Sequence, residues 1–285
     1  MSFKHFIRNI LYFCNVLLRF FCYNYSIDYQ SGDDFMHIRH SKLLSLVNKH
    51  NRISVADLAK ALDVSEVTIR KDLNILSKKG LLRREHGFAR LTTSDDVGNH
   101  LSFNYEAKLR IARRAAESVH NGETIMIESG SCCALLAEEI AANRHDVTII
   151  TNSAFIADYI RKYPQIRVIL LGGEYQKESQ VMVGPMIRSC VRDFYVSKFF
   201  VGTDGLNELG FMSNDLMRAE AARCMAERAE QTIVLTESAK FSLHGTVKLL
   251  SYDKVSALYT DDLAESSTLS KLHEQGIHVY PVSGQ

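Results

Sequence analysis

The segment VSEVTIRKDLNILSKKG, residues 64–80, decides how the N-terminal part of the chain folds. Ser65 can cap a helix, and Ile69, Leu73 and Leu76 follow at the spacing that places them on one apolar face. The opposite face is mostly polar and presents Val67, Thr68, Lys71, Asn74 and Lys78, with Arg70 at its edge. The pattern predicts a helix that packs on its neighbours with one side and leaves the other side free for a partner.

The flanking residues predict two more helices and a hairpin. Residues 37–50 bring apolar side chains to one helical face, and a second helix begins at Ser54, with Asp57 three positions later as in a capping box. LLRREHGFARL at 81–91 has two short apolar stretches around His86 and Gly87, which is typical of a small hairpin. Three short helices and a hairpin predict a winged helix-turn-helix domain over residues 36–91.

The charges are divided unequally along the chain. The 285 residues carry a net charge of +1, but residues 36–91 hold 12 Lys and Arg against 5 Asp and Glu. Residues 92–285 hold 19 against 25, so the longer part is acidic. A basic module joined to an acidic one indicates that the first meets a polyanion and the second does not.

The polar face of the 64–80 helix is therefore a candidate DNA-binding surface. In a helix-turn-helix, the first residues of the second helix reach base edges, while a basic hairpin reaches phosphates or the minor groove. A lone cationic helix is more often a solvated face, but the preceding helix, the two-residue turn and the basic hairpin favour DNA. The predicted contact residues are Ser65, Val67, Thr68, Arg70, Lys71 and Asn74 on the helix and Arg83, Arg84, His86 and Arg90 on the hairpin.

Residues 92–102 are polar and weakly patterned and are interpreted as a linker, so the second domain covers 103–285. This domain has seven short apolar runs, beginning at 124, 147, 167, 198, 232, 257 and 278, and helical patterns separate most of them. Continuous apolar runs are typical of buried parallel strands. The alternation predicts an α/β fold with a doubly wound, mostly parallel sheet and helices on both faces.

Polar residues follow the ends of five predicted strands, and ligands bind at the carboxyl ends of strands in open parallel sheets. SGSCCALL leads into a helix whose first amides can cradle an anion, and Lys240 can add a cation. A glycine pair alone is more often a turn, and a lysine alone is more often a surface residue, so the prediction depends on their convergence. The candidate residues are Glu128, Ser129, Gly130, Ser131, Cys132, Thr151, Asn152, Gly172, Gly173, Asp204, Gly205 and Lys240.

Residues 64–90 resemble the DNA-binding signature of the DeoR family of bacterial transcriptional regulators. The family pattern is V-S-x-x-T-I-R-R-D-L, then L-x-x-x-G, then a wing that ends in H-G-G-A. The chain matches it at Val64, Ser65, Thr68, Ile69, Arg70, Asp72, Leu73, Gly80, Arg84, His86, Gly87 and Ala89. Lys71 stands where arginine is usual, and Phe88 replaces the second wing glycine, which implies a changed wing tip. The resemblance extends from about residue 36 to the end.

The second domain resembles the sensor domain of the same family, which is similar to sugar-phosphate isomerases and amino-sugar-phosphate deaminases. Family loops that surround a phosphorylated sugar or related metabolite correspond to residues 128–132, 151–152, 172–173, 202–205 and 239–241. Glu128, Cys132 and Ala239 depart from the usual Asp and hydroxyl residues, which implies a differently shaped phosphate site. The resemblance implies a ligand-responsive regulator, most commonly a repressor, that binds an operator as a dimer or tetramer.

Two other functions compete with this one. Asp204 and Glu128 could move protons at carbon in an isomerase or deaminase with an appended DNA-binding module. GTDGLNE, residues 202–208, matches the D-G-A-D-E segment of the related isomerases only loosely, so we expect no enzyme. A nonspecific DNA-binding protein would leave the acidic second domain unexplained.

The first 35 residues differ from the rest of the chain. ILYFCNVLLRFFCY at 10–23 is apolar but short for a membrane span, and Asn15 and Arg19 interrupt it. Three interpretations stay open: an upstream extension before a true start at Met36, a membrane-surface anchor, or a disordered segment. The six cysteines form no CxxC pair, which is typical of reduced thiols in a cytoplasmic protein, and we expect no metal, no cofactor and no membrane partner.

Overall fold

The N-terminal domain is a winged helix-turn-helix. The computed structural model describes residues 38–91 and 97–283, so the interpretations of residues 1–35 and of Met36 lie outside the described residues. Serines begin two helices: Ser54 Oγ accepts the N–H of Asp57 at 3.0 Å, and Ser65 Oγ accepts that of Thr68 at 3.2 Å. The elements are α1 (38–50), β1 (Arg52–Ser54), α2 (Val55–Leu62), α3 (Glu66–Lys78), β2 (Arg83–Glu85) and β3 (Phe88–Arg90).

The wing contains a third strand that the sequence did not reveal. β1 pairs antiparallel with β3, so the predicted hairpin becomes a three-stranded sheet of order β1-β3-β2. The Arg52 guanidinium lies 3.7 Å from the centre of the Phe88 ring, and its Nε bonds Glu85 at 3.1 Å. Within residues 83–90 only Gly87 has a positive φ, +73°, while Phe88 belongs to β3, so the turn needs no second glycine.

A buried charge cluster ties α3 to α1. Asp72, on the inner face of α3, is 2% exposed. Arg39 donates to its two carboxylate oxygens at 2.5 and 3.0 Å, and His40 Nε2 lies 3.2 Å from Oδ1. Burial by itself raises the pKa of Asp72, but the hydrogen bonds of His40 and Arg39 outweigh this effect and lower the pKa to about 2.

The second domain is built on a parallel sheet of seven strands, as predicted. Its strand order is β15-β14-β12-β9-β4-β5-β6, so the winding direction reverses between β4 and β9. The strands are β4 (Thr124–Ile127), β5 (Thr148–Thr151), β6 (Arg167–Leu170), β9 (Val196–Val201), β12 (Ala229–Leu235), β14 (Ala257–Asp261) and β15 (His278–Val282).

Helices cover both faces of this sheet, because alternate strand residues point to opposite sides. Ile125 and Ile127 pack in the layer of α5 (Tyr105–Ala116), α6 (Ser131–Asn143) and α7 (Ala154–Tyr159). Met126 packs in the layer of α8 (Met186–Val191), α9 (Leu216–Ala226) and α10 (Ser266–Glu274). The architecture is the doubly wound α/β fold that the apolar runs predict.

Two small antiparallel sheets were not predicted. β7 (Glu174–Gln176) pairs with β8 (Val181–Val183) as a hairpin, and β11 (Gly210–Ser213) lies between β10 (Gly205–Asn207) and β13 (Val247–Leu250). Each of these strands has only three or four residues. Strands of this length give too little alternation for a sequence pattern to reveal them.

Part of the predicted linker is a helix. Of residues 92–102, the structure describes 97–102, and Val97–Ser102 form α4. Leu101 is fully buried in an apolar cluster that also contains Leu44 and Val47 of α1. One buried leucine among polar neighbours produces no helical periodicity, which explains why this segment was interpreted as a linker.

The two domains share one apolar core. The buried cluster extends from residues of α1 and α3 into α5, α6, α7 and the parallel sheet. Polar contacts border it: Lys79, just after α3, lies 2.9 Å from Glu138 Oε1 of α6, and Asn48 Nδ2 of α1 donates to the Ser102 carbonyl of α4 at 3.0 Å. The N-terminal domain is therefore fixed to the second domain at two places.

We predict that Asp72→Asn lowers the unfolding free energy by about 2–3 kcal/mol at neutral pH, because a neutral amide loses the ionic hydrogen bonds to Arg39 and His40. The stabilisation by Asp72 is present above the unfolded-state pKa of about 4 and is lost as the pH falls through the folded pKa of about 2. The two proteins should therefore converge in acid. Urea unfolding measures this, with exposed Asp63→Asn as the control; an equal loss in the control would contradict the prediction.

Candidate functional site

The predicted DNA-contacting residues form one surface made by α3 and the wing. Arg84 Nη1 donates to Asn74 Oδ1 at 2.6 Å, which joins the wing to the helix. Ser65 caps α3, Thr68 is half-buried beside it, and the other predicted residues are exposed: Val67, Arg70, Lys71, Asn74, Arg83, Arg84, His86 and Arg90. The structure thus joins α3 to the wing, and these two elements carry the predicted residues.

Two cations of this surface are paired with carboxylates. Arg70 Nη2 lies 2.5 Å from Glu66 Oε2 one turn earlier, and Arg90 Nη1 lies 3.5 Å from Glu85 Oε1. Both pairs are exposed, and exposed ion pairs contribute little to stability. Either guanidinium can therefore exchange its carboxylate for a phosphate or a base edge at small cost.

A cleft opens at the carboxyl ends of β4 and β9, where the strand order reverses. It has an inner part of about 60 Å³ and an outer part of about 500 Å³. This reversal point is where open α/β sheets bind ligands. Its lining contains seven of the predicted residues, Glu128, Ser129, Gly130, Ser131, Cys132, Asp204 and Lys240.

Glu128 joins the two loops that meet at the reversal point. Its carboxylate accepts the N–H of Gly130 at 2.9 Å, the N–H of Gly202 at 3.4 Å and the Ser129 hydroxyl at 2.5 Å. A Cβ on Gly130 would lie 3.2 Å from the Cα of Gly202, so these loops need glycine to approach closely. α6 begins directly after this loop, and the first amides of a helix lack intrahelical acceptors, which favours an anion there.

The floor of the cleft contains a buried ion pair. Lys108 of α5 is 2% exposed, and its Nζ lies 3.4 Å from Glu237 Oε1 and donates to the His100 carbonyl at 2.5 Å. Burial lowers the pKa of Lys108, and the Glu237 charge opposes this effect. The Sγ of Cys132 lies 3.9 Å from Glu237 Oε2; burial, and then the Glu237 charge, raises the pKa of this thiol to about 12, so it is neutral.

Three basic side chains surround the outer part of the cleft. Lys240 Nζ donates to the Thr203 carbonyl at 2.9 Å and lies 3.8 Å from Asp204 Oδ1. Arg218 of α9 and His100 of α4 line the same space. Burial, and then the charges of Lys240 and Lys108, lower the pKa of His100, so its ring is mostly neutral at neutral pH.

Five predicted residues do not line the cleft: Thr151, Asn152, Gly172, Gly173 and Gly205. Two of them, Asn152 and Gly173, contact the β7–β8 hairpin instead. Asn152 Nδ2 donates to the Met182 carbonyl at 3.1 Å, and a Cβ on Gly173 would meet the Val183 carbonyl oxygen at 2.5 Å. Both contacts fix the β7–β8 hairpin, whose connecting residues Glu178 and Ser179 line the outer cleft.

Sequence reasoning missed several residues that line the cleft, namely His100, Gln176, Glu178, Ser179 and Arg218. It also missed Lys108, which contacts Glu237 of the lining. Lys108 carried a signal, because it lies on the apolar face of α5 with Tyr105, Leu109 and Ala112. A lysine on such a face indicates a buried charge that needs a partner. His100 and Arg218 carried no such signal, because only the tertiary fold brings α4 and α9 to the cleft.

Comparisons with known proteins agree with both domains. A family model described as the DeoR C terminal sensor domain matches residues 103–262, and one described as the DeoR-like helix-turn-helix domain matches residues 39–95. The chain belongs to the DeoR family. It is a helix-turn-helix transcriptional regulator.

Relatives of this DeoR-family chain align over most of their length. It is 28% identical to the HTH-type transcriptional regulator GolR of Listeria innocua, an alignment that covers 85% of this chain and 96% of the relative. It is 28% identical to the HTH-type transcriptional repressor CsqR of Escherichia coli, covering 85% and 94%. It is 27% identical to the glycerol-3-phosphate regulon repressor of Escherichia coli, covering 85% and 97%.

The solved structures that resemble this chain cover about half of it. The crystal structure of ribose 5 phosphate isomerase A from Neisseria gonorrhoeae is 17% identical, with a TM-score of 0.36, and covers 48% of this chain and 53% of that one. The structure of eIF2B beta from Chaetomium thermophilum is also 17% identical, with a TM-score of 0.41, and covers 54% and 50%.

The described residues contain neither a metal-binding cluster nor a membrane-spanning helix. In residues 38–91 and 97–283, no three His, Cys, Asp or Glu side chains are grouped so that they could hold a metal ion. No helix within these ranges has the length and the apolar character needed to cross a bilayer.

We predict that Lys108→Met lowers the unfolding free energy by about 3 kcal/mol, because it leaves Glu237 buried without its cation. Adding Glu237→Gln to this variant should restore part of the loss, since the uncompensated charge is then removed. Urea unfolding measures both effects, with Lys271→Met on exposed α10 as the control. A double variant that is no more stable than Lys108→Met alone would show that the ion pair is not the cause.

Proposed function

We propose that the protein is a repressor whose affinity for operator DNA is lowered by a phosphorylated sugar or related metabolite that binds in the cleft. The observation that carries this proposal is the composition of the cleft at the reversal point of the sheet. It combines the first turn of α6 with the basic side chains of Lys240, Arg218 and His100. A helix N-terminus and cations together favour a phosphate group.

The effector class also has support from one relative. The glycerol-3-phosphate regulon repressor of Escherichia coli carries a small phosphorylated metabolite in its name and aligns with 85% of this chain. A sugar phosphate has a compact dianionic end and several hydroxyl groups. The hydroxyls would meet the polar side chains of Ser129 and Ser131, and the outer volume of about 500 Å³ is sufficient for a molecule of this size.

The DNA-binding half of the proposal depends on α3 and the wing. α3 would lie in the major groove, where Thr68 and Arg70 can reach base edges and Val67 can contact a thymine methyl group. Lys71 and the wing cations would contact backbone phosphates. A dimer or tetramer would place two such surfaces on the half-sites of one operator, which multiplies affinity and specificity.

An isomerase or deaminase is the competing function, and the carboxylates disfavour it. Glu128 accepts three hydrogen bonds from its own loops. Asp204 Oδ2 accepts the N–H of Asn214 at 2.9 Å and lies 3.4 Å from the Ser213 hydroxyl. These donors already occupy the carboxylate oxygens that would have to take a proton from a substrate carbon. Incubation with pentose and hexosamine phosphates tests the alternative, since turnover that Asp204→Asn abolishes would favour an enzyme.

We predict that Arg70→Ala weakens binding to the protein's own promoter by roughly 1–3 kcal/mol and relaxes base preference at one operator position. Fluorescence anisotropy with promoter and scrambled duplexes at fixed salt measures this. Arg114→Ala is the matched control, because Arg114 is exposed on α5 and paired with Glu117 as Arg70 is with Glu66. An unchanged ratio of the two affinities would remove Arg70 from base recognition.

We predict that Lys240→Ala blunts the loss of operator affinity caused by the effector, because the phosphate loses a cation. The response is measured as operator anisotropy in the presence of pentose and hexosamine phosphates, with Lys271→Ala as the control. A full response in Lys240→Ala would mean that the phosphate binds elsewhere.

A further inference from the structure

α4 lies between the cleft and the DNA-binding domain. It has six residues, and they reach both neighbours. On one side His100 lines the outer cleft. On the other side Ser102 meets Asn48 of α1 twice: its carbonyl accepts from Asn48 Nδ2 at 3.0 Å, and its hydroxyl lies 3.1 Å from Asn48 Oδ1.

Arg218 is the second unusual group of the outer cleft. Its Nε is buried and has no hydrogen-bond partner within residues 38–91 and 97–283, and a carboxylate oxygen of Asp215 lies 3.9 Å away. A buried guanidinium N–H without an acceptor costs free energy that a ligand oxygen would recover. His100 and Lys240 line the same space, so a ligand oxygen there would meet three basic groups.

The acids of the outer cleft are mostly engaged. Asp215 caps α9 by accepting the N–H of Arg218 at 2.8 Å and also accepts from Gln176 Nε2 at 3.1 Å. Asp204 is held by Asn214 and lies 3.8 Å from Lys240. Glu178 lines the cleft from the hairpin. The charges of Lys240, Lys108 and Arg218 lower the pKa of His100 and that of Asp204 raises it, while Glu178 and Asp215 line the same space.

We propose that His100 and Arg218, together with Lys240, form an anion subsite at the mouth of the cleft, and that α4 transmits its occupancy to α1. The inference rests on the proposed regulatory function and deepens it by naming the side chains that hold the anionic group and the helix that reports its binding to the DNA-binding domain. An anion that draws His100 inward displaces α4, and the Ser102–Asn48 contacts pass this displacement to the helix that holds α3 through Asp72.

The subsite also predicts a pH dependence with a definite sign. The pKa of unoccupied His100 is lowered by burial and by Lys240 and Lys108. A bound dianion favours the protonated ring, so binding takes up a proton. Anion affinity should therefore rise as the pH falls from about 8 to about 6.

The test uses inorganic sulfate, which stays a dianion over this range and so does not titrate itself. Isothermal titration calorimetry on the full chain at constant ionic strength compares wild type with His100→Gln, Arg218→Gln and, as the control, His273→Gln. His273 is exposed in the last turn of α10. We expect about tenfold weaker binding in the first two variants at about pH 6 and loss of the pH dependence in His100→Gln.

Two results would contradict the proposed subsite. One is that wild type does not bind sulfate, and the other is that wild type, His100→Gln and Arg218→Gln bind it with equal affinity. For transmission, operator anisotropy with and without sulfate should show a change in wild type that Asn48→Ala reduces several-fold while keeping sulfate binding. A full change in Asn48→Ala, or no change in wild type, would overturn transmission through α4. A failure of the proposed function gives a different result. In that case sulfate still binds through His100, but no sugar phosphate changes the affinity for the operator.

Discussion

The buried contact between Lys108 and Glu237 is the constraint on which the cleft depends. Lys108 brings together the end of α4, through the His100 carbonyl, and the loop after β12, through Glu237. A charge at this depth is tolerated only when its partners hold fixed positions, because each would otherwise be desolvated without compensation. The pair therefore sets where α4 and α5 lie on the sheet, and with them the wall of the cleft that faces the DNA-binding domain.

Asp72 has the corresponding role in the DNA-binding domain. It lies on the inner face of α3, and its bonds to Arg39 and His40 orient the helix about its own axis. Apolar contacts of Ile69 and Leu73 alone would allow small rotations at little cost, whereas directional ionic hydrogen bonds do not. The exposed face that carries Arg70 and Asn74 is thereby held at a constant angle to the wing.

The sequence predicted the architecture well because the decisive patterns are local. Seven apolar runs and three short helices around a hairpin were enough to predict a doubly wound sheet and a winged helix-turn-helix. The elements that the sequence did not predict depend on contacts between residues far apart in the chain. Strand β1 is supported by the contacts of Arg52 with Phe88 and Glu85. Helix α4 is stabilised by Leu101, which is buried in a cluster with distant residues. The cleft shows the same division between local and distant signals. Its loop residues at the strand ends were predicted, whereas Arg218 and His100 lie on helices whose placement depends on the whole fold.

The shared apolar core of the two domains has a consequence for evolution and engineering. Because one buried apolar cluster runs from α1 and α3 into α5 and α6, the boundary between the domains is a shared core and not a flexible tether. A chimaera could take residues 38–91 from one relative and the remainder from another. Its shared core would then combine side chains from two proteins, and their shapes would not match. New operator specificity can therefore be acquired most easily by changing exposed positions of α3, while exchange of the whole module would require compensating changes in α4, α5 and α6.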